Sequence, residues 1–350
     1  MARPDLEALL DEAATAFEDG DPERALRAAR EALAVDRRSV PALHFRAAAL
    51  SELGRDDEAR AAYREALGRG GDDVDLLVDA AGFLLRSGEE APREDAEAAL
   101  ELARRGARLA RSAGDERMAG EASLAEGRAL LQLGEAPAAL ERLEAARSAL
   151  PDDPDVLLER ALALFEACRF EEAREQYRQV LEGADGEAAA HHGLGLALER
   201  LGRPREAERH LARARALAPE DYPEPVSVPP AEFERLVEEA LQGLPAPVRG
   251  YLGNVAIAVE DLPEASELLG SDPPLSPGIL GIFRGSPLPQ KGSMDPWSHF
   301  PSSISLYQRN LERFARSREE LVEEIRVTLL HEVGHFLGLD EDELYRRGLD

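Results

Sequence analysis

The chain has 350 residues, long enough for two domains, and a formal net charge of −28 from 70 acidic and 42 basic side chains. So acidic a balance excludes sequence-independent nucleic-acid binding, which needs a basic face, and disfavours docking on an anionic membrane. Apolar residues make up 44%, enough for a real core, yet no run approaches the ~18 apolar residues of a membrane span.

The single cysteine, Cys168, rules out a disulfide framework and any multi-cysteine zinc site, and reads as a small buried residue. The only lysine, Lys291, is followed by Gly292, so the Gly-Lys-Ser/Thr of a phosphate-binding loop is missing. Residues Met1–Asp5 turn acidic at once, without the apolar core of a signal peptide, so the cytoplasm is the expected compartment.

From the N-terminus, small residues recur at Ala13, Ala47, Ala81, Gly127, Ala161 and Gly195, in steps of 34, 34, 46, 34 and 34. Alanines at 25, 59, 139, 173 and 207 follow twelve residues behind. Between the two series fall Gly20, Gly54, Gly88, Gly134 and Gly202, with Cys168 in that place in the fifth unit. The spacing predicts two antiparallel helices per unit, joined at the glycine and brought close by the small residues. Large residues such as Leu43, Leu50, Tyr63 and Tyr177 fill the space between units. One such pair cannot bury its apolar face alone, so neighbours stack.

These residues resemble the tetratricopeptide repeat, most clearly through Leu194-Gly195, Gly202, Ala207, Leu211, Ala214 and Pro219. The third of six units carries twelve extra residues within about 89–118 and puts Arg93 where a small residue is expected, so longer helices or an extra turn are predicted. The resemblance implies an all-α solenoid over 1–219, with a groove for a peptide or protein partner or, alternatively, a scaffold for the chain's own C-terminal domain. His191 and His192 read as packing and surface positions, because adjacent helical residues point about 100° apart.

A Pro-rich linker over 220–230 separates the array from a domain over 231–350. In the latter, Phe233–Leu241 reads as an amphipathic helix, and residues 254–260, 278–285 and 303–308 read as strands. Ser303–Gln308 alternates polar and apolar residues, which predicts one exposed face or an edge position. Ser317-Arg-Glu-Glu320 is the capping box of a long helix that ends at Gly338.

That helix carries His331-Glu332-Val333-Gly334-His335. Histidines at i and i+4 lie on one face, so both imidazoles can reach one ion, and Zn²⁺ suits them. The adjacent Glu332 is the residue type that takes a proton from the attacking water and passes it to the leaving amine. A catalytic zinc takes a third protein ligand. Once Gly338 turns the chain back, Glu341 stands at the matching place of an extended H-E-x-x-H-x-x-G-x-x pattern, with Asp340 as the alternate.

Residues 233–344 resemble the small zincin-like metallopeptidase family, through Val255–Asp261, Leu280–Leu288, Ile304–Tyr307 and Val327–Glu343. The resemblance implies a compact α+β zincin-like domain, a bound zinc and peptidase activity. It also implies Asp at the third-ligand place, where this chain has Glu341. A metzincin methionine turn has no room after that position, and Met294 lies upstream.

The expected protein is therefore a zinc metallopeptidase with a recruiting repeat array, free of nucleic-acid and membrane partners. Ser303–Gln308 is the candidate strand for pairing with substrate, and Tyr307 and Tyr345 are candidate oxyanion donors that read more readily as packing. The competing reading is a non-catalytic adaptor with a structural or relic metal site, for which Glu332 has no use.

Overall fold

The computed structural model describes residues 5–70, 72–86, 92–183, 186–271, 273–286, 302–340, 343–344 and 346. Contacts divide the chain into two compact units, Met1–Leu164 with Glu172–Gly183, and Phe165–Glu171 with Ala184–Asp350.

Twelve helices run through the repeat region among the described residues. They pair in order as α1 (Leu6–Glu18) with α2 (Pro22–Val35), α3 (Val40–Glu52) with α4 (Asp56–Gly70), and α5 (Val74–Leu85) with α6 (Arg93–Ala113). The series continues with α7 (Glu116–Gln132) and α8 (Ala136–Ala149), α9 (Pro154–Glu166) and α10 (Phe170–Gly183), and α11 (Ala188–Arg200) and α12 (Pro204–Leu217). Ala13, Ala47, Ala81 and Ala161 are 0% exposed, as close helix approach demands. At Gly127 and Gly195 the approach is closer still. A Cβ there would stand 2.6 Å from Leu143 and 2.7 Å from Leu211, each on the second helix of its hairpin.

The expected turn positions adopt positive φ at Gly20, Gly54, Gly134 and Gly202. Cys168 does the same at φ 57, and it sits half-buried in this turn rather than buried within a helix. Gly88 lies outside the described residues. The extra residues of the third unit lengthen its second helix, α6, to 21 residues, and the next unit's α7 to 17, while α5 keeps 12 against 13 in α3. Arg93 is merely the exposed first residue of α6, whose small residues in the core are Ala96, Ala99 and Ala103.

The second unit joins α11 and α12 to α13 (Pro230–Gly243), α14 (Ala246–Tyr251), β1 (Val255–Glu260), α15 (Ala265–Leu268), β2 (Gly281–Arg284), β3 (Ser302–Tyr307), α16 (Gln308–Phe314) and α17 (Arg318–Leu337). The sheet order is β1-β3-β2, with β1 parallel and β2 antiparallel to β3. The expected edge position of Ser303–Gln308 is thus overturned: β3 is central and hydrogen-bonded on both sides.

Its alternation has another cause. Ile304 and Leu306 face an apolar core shared with Phe233 and Leu236 of α13 and Leu321, Ile325 and Leu329 of α17. The other face is a half-buried polar layer. Ser305 Oγ donates to Glu260 at 2.6 Å, Tyr307 donates to Glu267 at 2.9 Å, and Arg284 spans the same two carboxylates.

The last repeat hairpin is bound into this unit by charge. Glu199 of α11, its side chain 8% exposed, accepts from Arg309 at 2.6 Å and Arg313 at 2.5 Å on α16. Arg200 donates to the carbonyls of Pro263 and Pro277 and lies over the Phe170 ring. His192 stacks on Tyr222 at 4.5 Å, whereas His191 meets His210, so the adjacent histidines do point apart. Burial pushes the His192 pKa down to about 4, helped by Arg313 and Arg215.

Removing one partner of a buried ion cluster leaves the others uncompensated. Glu199→Gln should therefore destabilise the second unit by about 1.5 kcal/mol, below the range for fully buried pairs, because both arginines keep solvent contact and Arg309 also pairs with Asp261 at 2.7 Å. Urea unfolding of the full chain measures it; an unchanged midpoint would mean that the cluster does not hold the hairpin.

Candidate metal centre

Helix α17 opens as its sequence predicts. Ser317 Oγ accepts from the Glu320 amide at 3.1 Å, while the Glu320 carboxylate reaches one residue further back than expected, to the Arg316 amide at 2.7 Å. Leu321, Ile325, Leu329 and Val333 recur every fourth position and bury against the sheet and α13. His331 and His335 occupy a neighbouring stripe that faces a cavity of about 710 Å³, lined also by Leu280, Ile282, Phe283 and Leu339.

The two imidazoles converge, with Nε2 of His331 3.0 Å from Nε2 of His335. His335 Nδ1 lies 3.3 Å from the Leu339 carbonyl; in the tautomer that donates there, Nε2, the nitrogen turned to His331, carries no proton and can take a metal. Two nitrogens on a tetrahedral zinc would stand about 3.3 Å apart, so the pair fits such an ion. Glu332 lines the same cavity and is 6% exposed. Strand β2 passes close by, since a Cβ on Gly281 would meet Thr328 at 2.7 Å and Glu332 at 3.4 Å.

At its C-terminus α17 stops at Gly338, φ 87, whose following amide, Leu339 N–H, bonds back to the Gly334 carbonyl at 3.0 Å. The chain then folds onto the helix. Leu344, 0% exposed, packs where a Cβ on Gly334 would come within 2.2 Å of it. The glycine between the two histidines is thus what admits the returning chain.

Asp340 lines the cavity, yet its carboxylate is engaged as a helix cap. Asp340 Oδ1 accepts from the Glu343 amide at 2.9 Å, and Glu343 Oε2 accepts from the Asp340 amide at 3.4 Å. This reciprocal capping box is the local signal carried by Asp340-Glu-Asp-Glu343, an acid followed by Glu three positions on. Glu341 and Tyr345 lie outside the described residues, as do Lys291 and Met294. Among the described residues no group of three His, Cys, Asp or Glu side chains that could hold a metal forms.

Tyr307 does not line the cavity. Its hydroxyl serves Glu267 on the other face of the sheet, and burial with that carboxylate keeps the phenol protonated well above its ordinary range. Glu267 is held low by Arg284 and, secondarily, by Tyr307. The network locks β2 to β3 and α15.

Residues 252–349 match the model of the zincin-like metallopeptidase family, and residues 10–74, 124–190 and 188–221 match tetratricopeptide repeat models. Among solved structures the chain is similar to PilW, a type IV pilus biogenesis factor, at 18% identity and a TM-score of 0.53, over 61% of this chain and 94% of that one. It is likewise similar to PilF of Pseudomonas aeruginosa, at 20% identity and a TM-score of 0.51, over 61% and 92%. Both likenesses concern the fold alone. No curated protein matches the chain. No helix among the described residues is long and apolar enough to cross a membrane.

A cap and a ligand make different demands at position 340. Asp340→Ser should keep zinc affinity within about threefold, because Ser caps as well as Asp, while Asp340→Ala should weaken it by about tenfold through loss of the turn. Competition titration with a chromogenic chelator reads this; equal loss of zinc in both variants would make Asp340 a ligand.

Proposed function

We propose that this chain, tetratricopeptide repeats followed by a zincin-like metallopeptidase domain, is a zinc-dependent peptidase whose repeats recruit its protein substrate. One observation carries the reading: two imidazole nitrogens 3.0 Å apart on α17, with the buried carboxylate of Glu332 between them in sequence and in the same cavity. A structural metal site has no use for that carboxylate.

His331, His335 and Glu341 would hold the ion. When bound, zinc lowers the pKa of water and polarises the scissile carbonyl. Glu332 takes the proton of the attacking water and delivers it to the amide nitrogen as the C–N bond breaks. Its low exposure strengthens that exchange by keeping bulk water away. Strand β2 takes over the substrate-pairing role first expected of β3, because among the described residues it is an edge strand of the sheet and Gly281–Phe283 line the cavity. An extended peptide lying along that edge would bring its backbone past the two histidines.

Glu332→Gln should retain about one zinc per chain and lose hydrolysis by roughly 100-fold or more, whereas His335→Ala should lose the metal. Metal analysis beside cleavage of a peptide library, with and without chelator, separates these outcomes. A Gln variant as active as the parent would remove Glu332 from the mechanism.

A further inference from the structure

The first unit holds a groove that the metal centre does not use. Helices α1, α3, α5 and α7, with the start of α9, line a concavity of about 810 Å³. Its wall is a run of rings, Phe17 from the first hairpin, His44, Phe45 and, from α4, Tyr63 from the second, and Phe83 from the third. Phe17 stacks on Phe45 at 5.9 Å between centroids, His44 lies 6.5 Å from Tyr63, and Tyr63 lies 5.2 Å from Phe83. Such faces accept aliphatic and aromatic side chains and also attract guanidinium and ammonium groups.

The charge along the groove is one-sided. Asp21, Glu52, Asp79 and Glu121 line it, Asp79 meeting the His44 ring at 2.7 Å and Glu121 pairing at 2.7 Å with Arg117, which is not part of the lining, and Asp75 precedes Asp79 by one helical turn. The two arginines in the lining are committed to the protein itself. Arg86 donates to the Ser51 carbonyl and hydroxyl at 2.6 and 2.7 Å, and Arg128 pairs with Asp155 and Glu159 at 2.8 Å each. Two titrations register the resulting field. Asp75 is raised by desolvation and by the charges of Asp73 and Asp79, and Tyr63 by burial and then by Asp79 and Glu52.

We propose that this groove holds an extended protein segment in which Lys or Arg side chains alternate with large apolar ones. The rings take the apolar side chains, and the carboxylates take the cations and repel acidic segments. The proposal rests on the reading of the repeats as the recruiting element, and it names the partner's chemistry. A substrate carrying such a segment would be delivered to the peptidase domain by a surface distinct from its cleavage site.

The test uses the full chain with Glu332→Gln, so that the ligand is not consumed, and fluorescein-labelled peptides of about twelve residues, some 40 Å when extended. One alternates Lys/Arg with Leu/Phe, a second replaces the apolar residues by Ser, and a third replaces the cations by Glu. Anisotropy should show binding of the first, about tenfold weaker binding of the second and none of the third, with affinity falling as salt rises. Glu52→Gln with Asp79→Asn should weaken the first peptide about tenfold, while Glu238→Gln with Glu239→Gln on α13 should leave it unchanged. Equal binding of the acidic peptide, an unaffected groove variant, or an equal loss in the α13 variant would each overturn the proposal. Since hydrolysis is not read, these failures would leave the peptidase reading standing, and an inactive parent chain that still binds the peptide would do the reverse.

Discussion

Everything in the second unit depends on how helix α17 is held, because one helix does two jobs on adjacent stripes. Leu321, Ile325, Leu329 and Val333 close the apolar core, while His331, Glu332 and His335 face the cavity. A rotation of one residue would drive the histidines into the core and the leucines into water. The helix is therefore fixed at both ends and in the middle: by the Ser317 cap, by the left-handed Gly338, and by the close passage of β2 at Gly281. The same glycine economy recurs at Gly334, where the absence of a Cβ lets Leu344 dock on the helix between the two histidines.

Around that helix the protein spends charge rather than apolar surface. One face of the sheet is a layer of Glu260, Glu267, Arg284, Ser305 and Tyr307, every one engaged with another. A layer of this kind is costly if any member is unpaired and rigid when all are satisfied. It keeps β2 in register beside the cavity. A second charged cluster, Glu199 with Arg309 and Arg313, carries the last repeat hairpin into the same compact unit. The boundary between helical repeat and α+β domain is thus one of sequence pattern, since α11 packs on α12 as a repeat helix does while its Glu199 and Arg200 bond to α16 and to the loops before β2.

The helices and their hairpins were legible because the 34-residue period places Ala and Gly where backbones must meet. The turn at Cys168 could be located for the same reason, even without a glycine. The histidine pair was legible because i, i+4 spacing on a helix admits few alternatives. What could not be read has a common cause in long-range pairing. Ser303, Ser305 and Tyr307 suggest a solvent face until Arg284 and Glu267 are known to cover that side of β3. Glu199 looks like any surface glutamate until residues 110 and 114 positions later close on it. The Asp340–Glu343 cap was a local signal, obscured by the number of acids competing for one ligand role.

The central claim is that α17 carries a metal centre between its two imidazoles. Anomalous scattering at the zinc edge, from crystals of the full chain grown with one equivalent of zinc, tests it directly. A single peak is expected within about 2.1 Å of Nε2 of both His331 and His335, with a carboxylate oxygen from the turn after Gly338 as third neighbour. A peak elsewhere, for instance at His191 and His210, with none between His331 and His335, would contradict it.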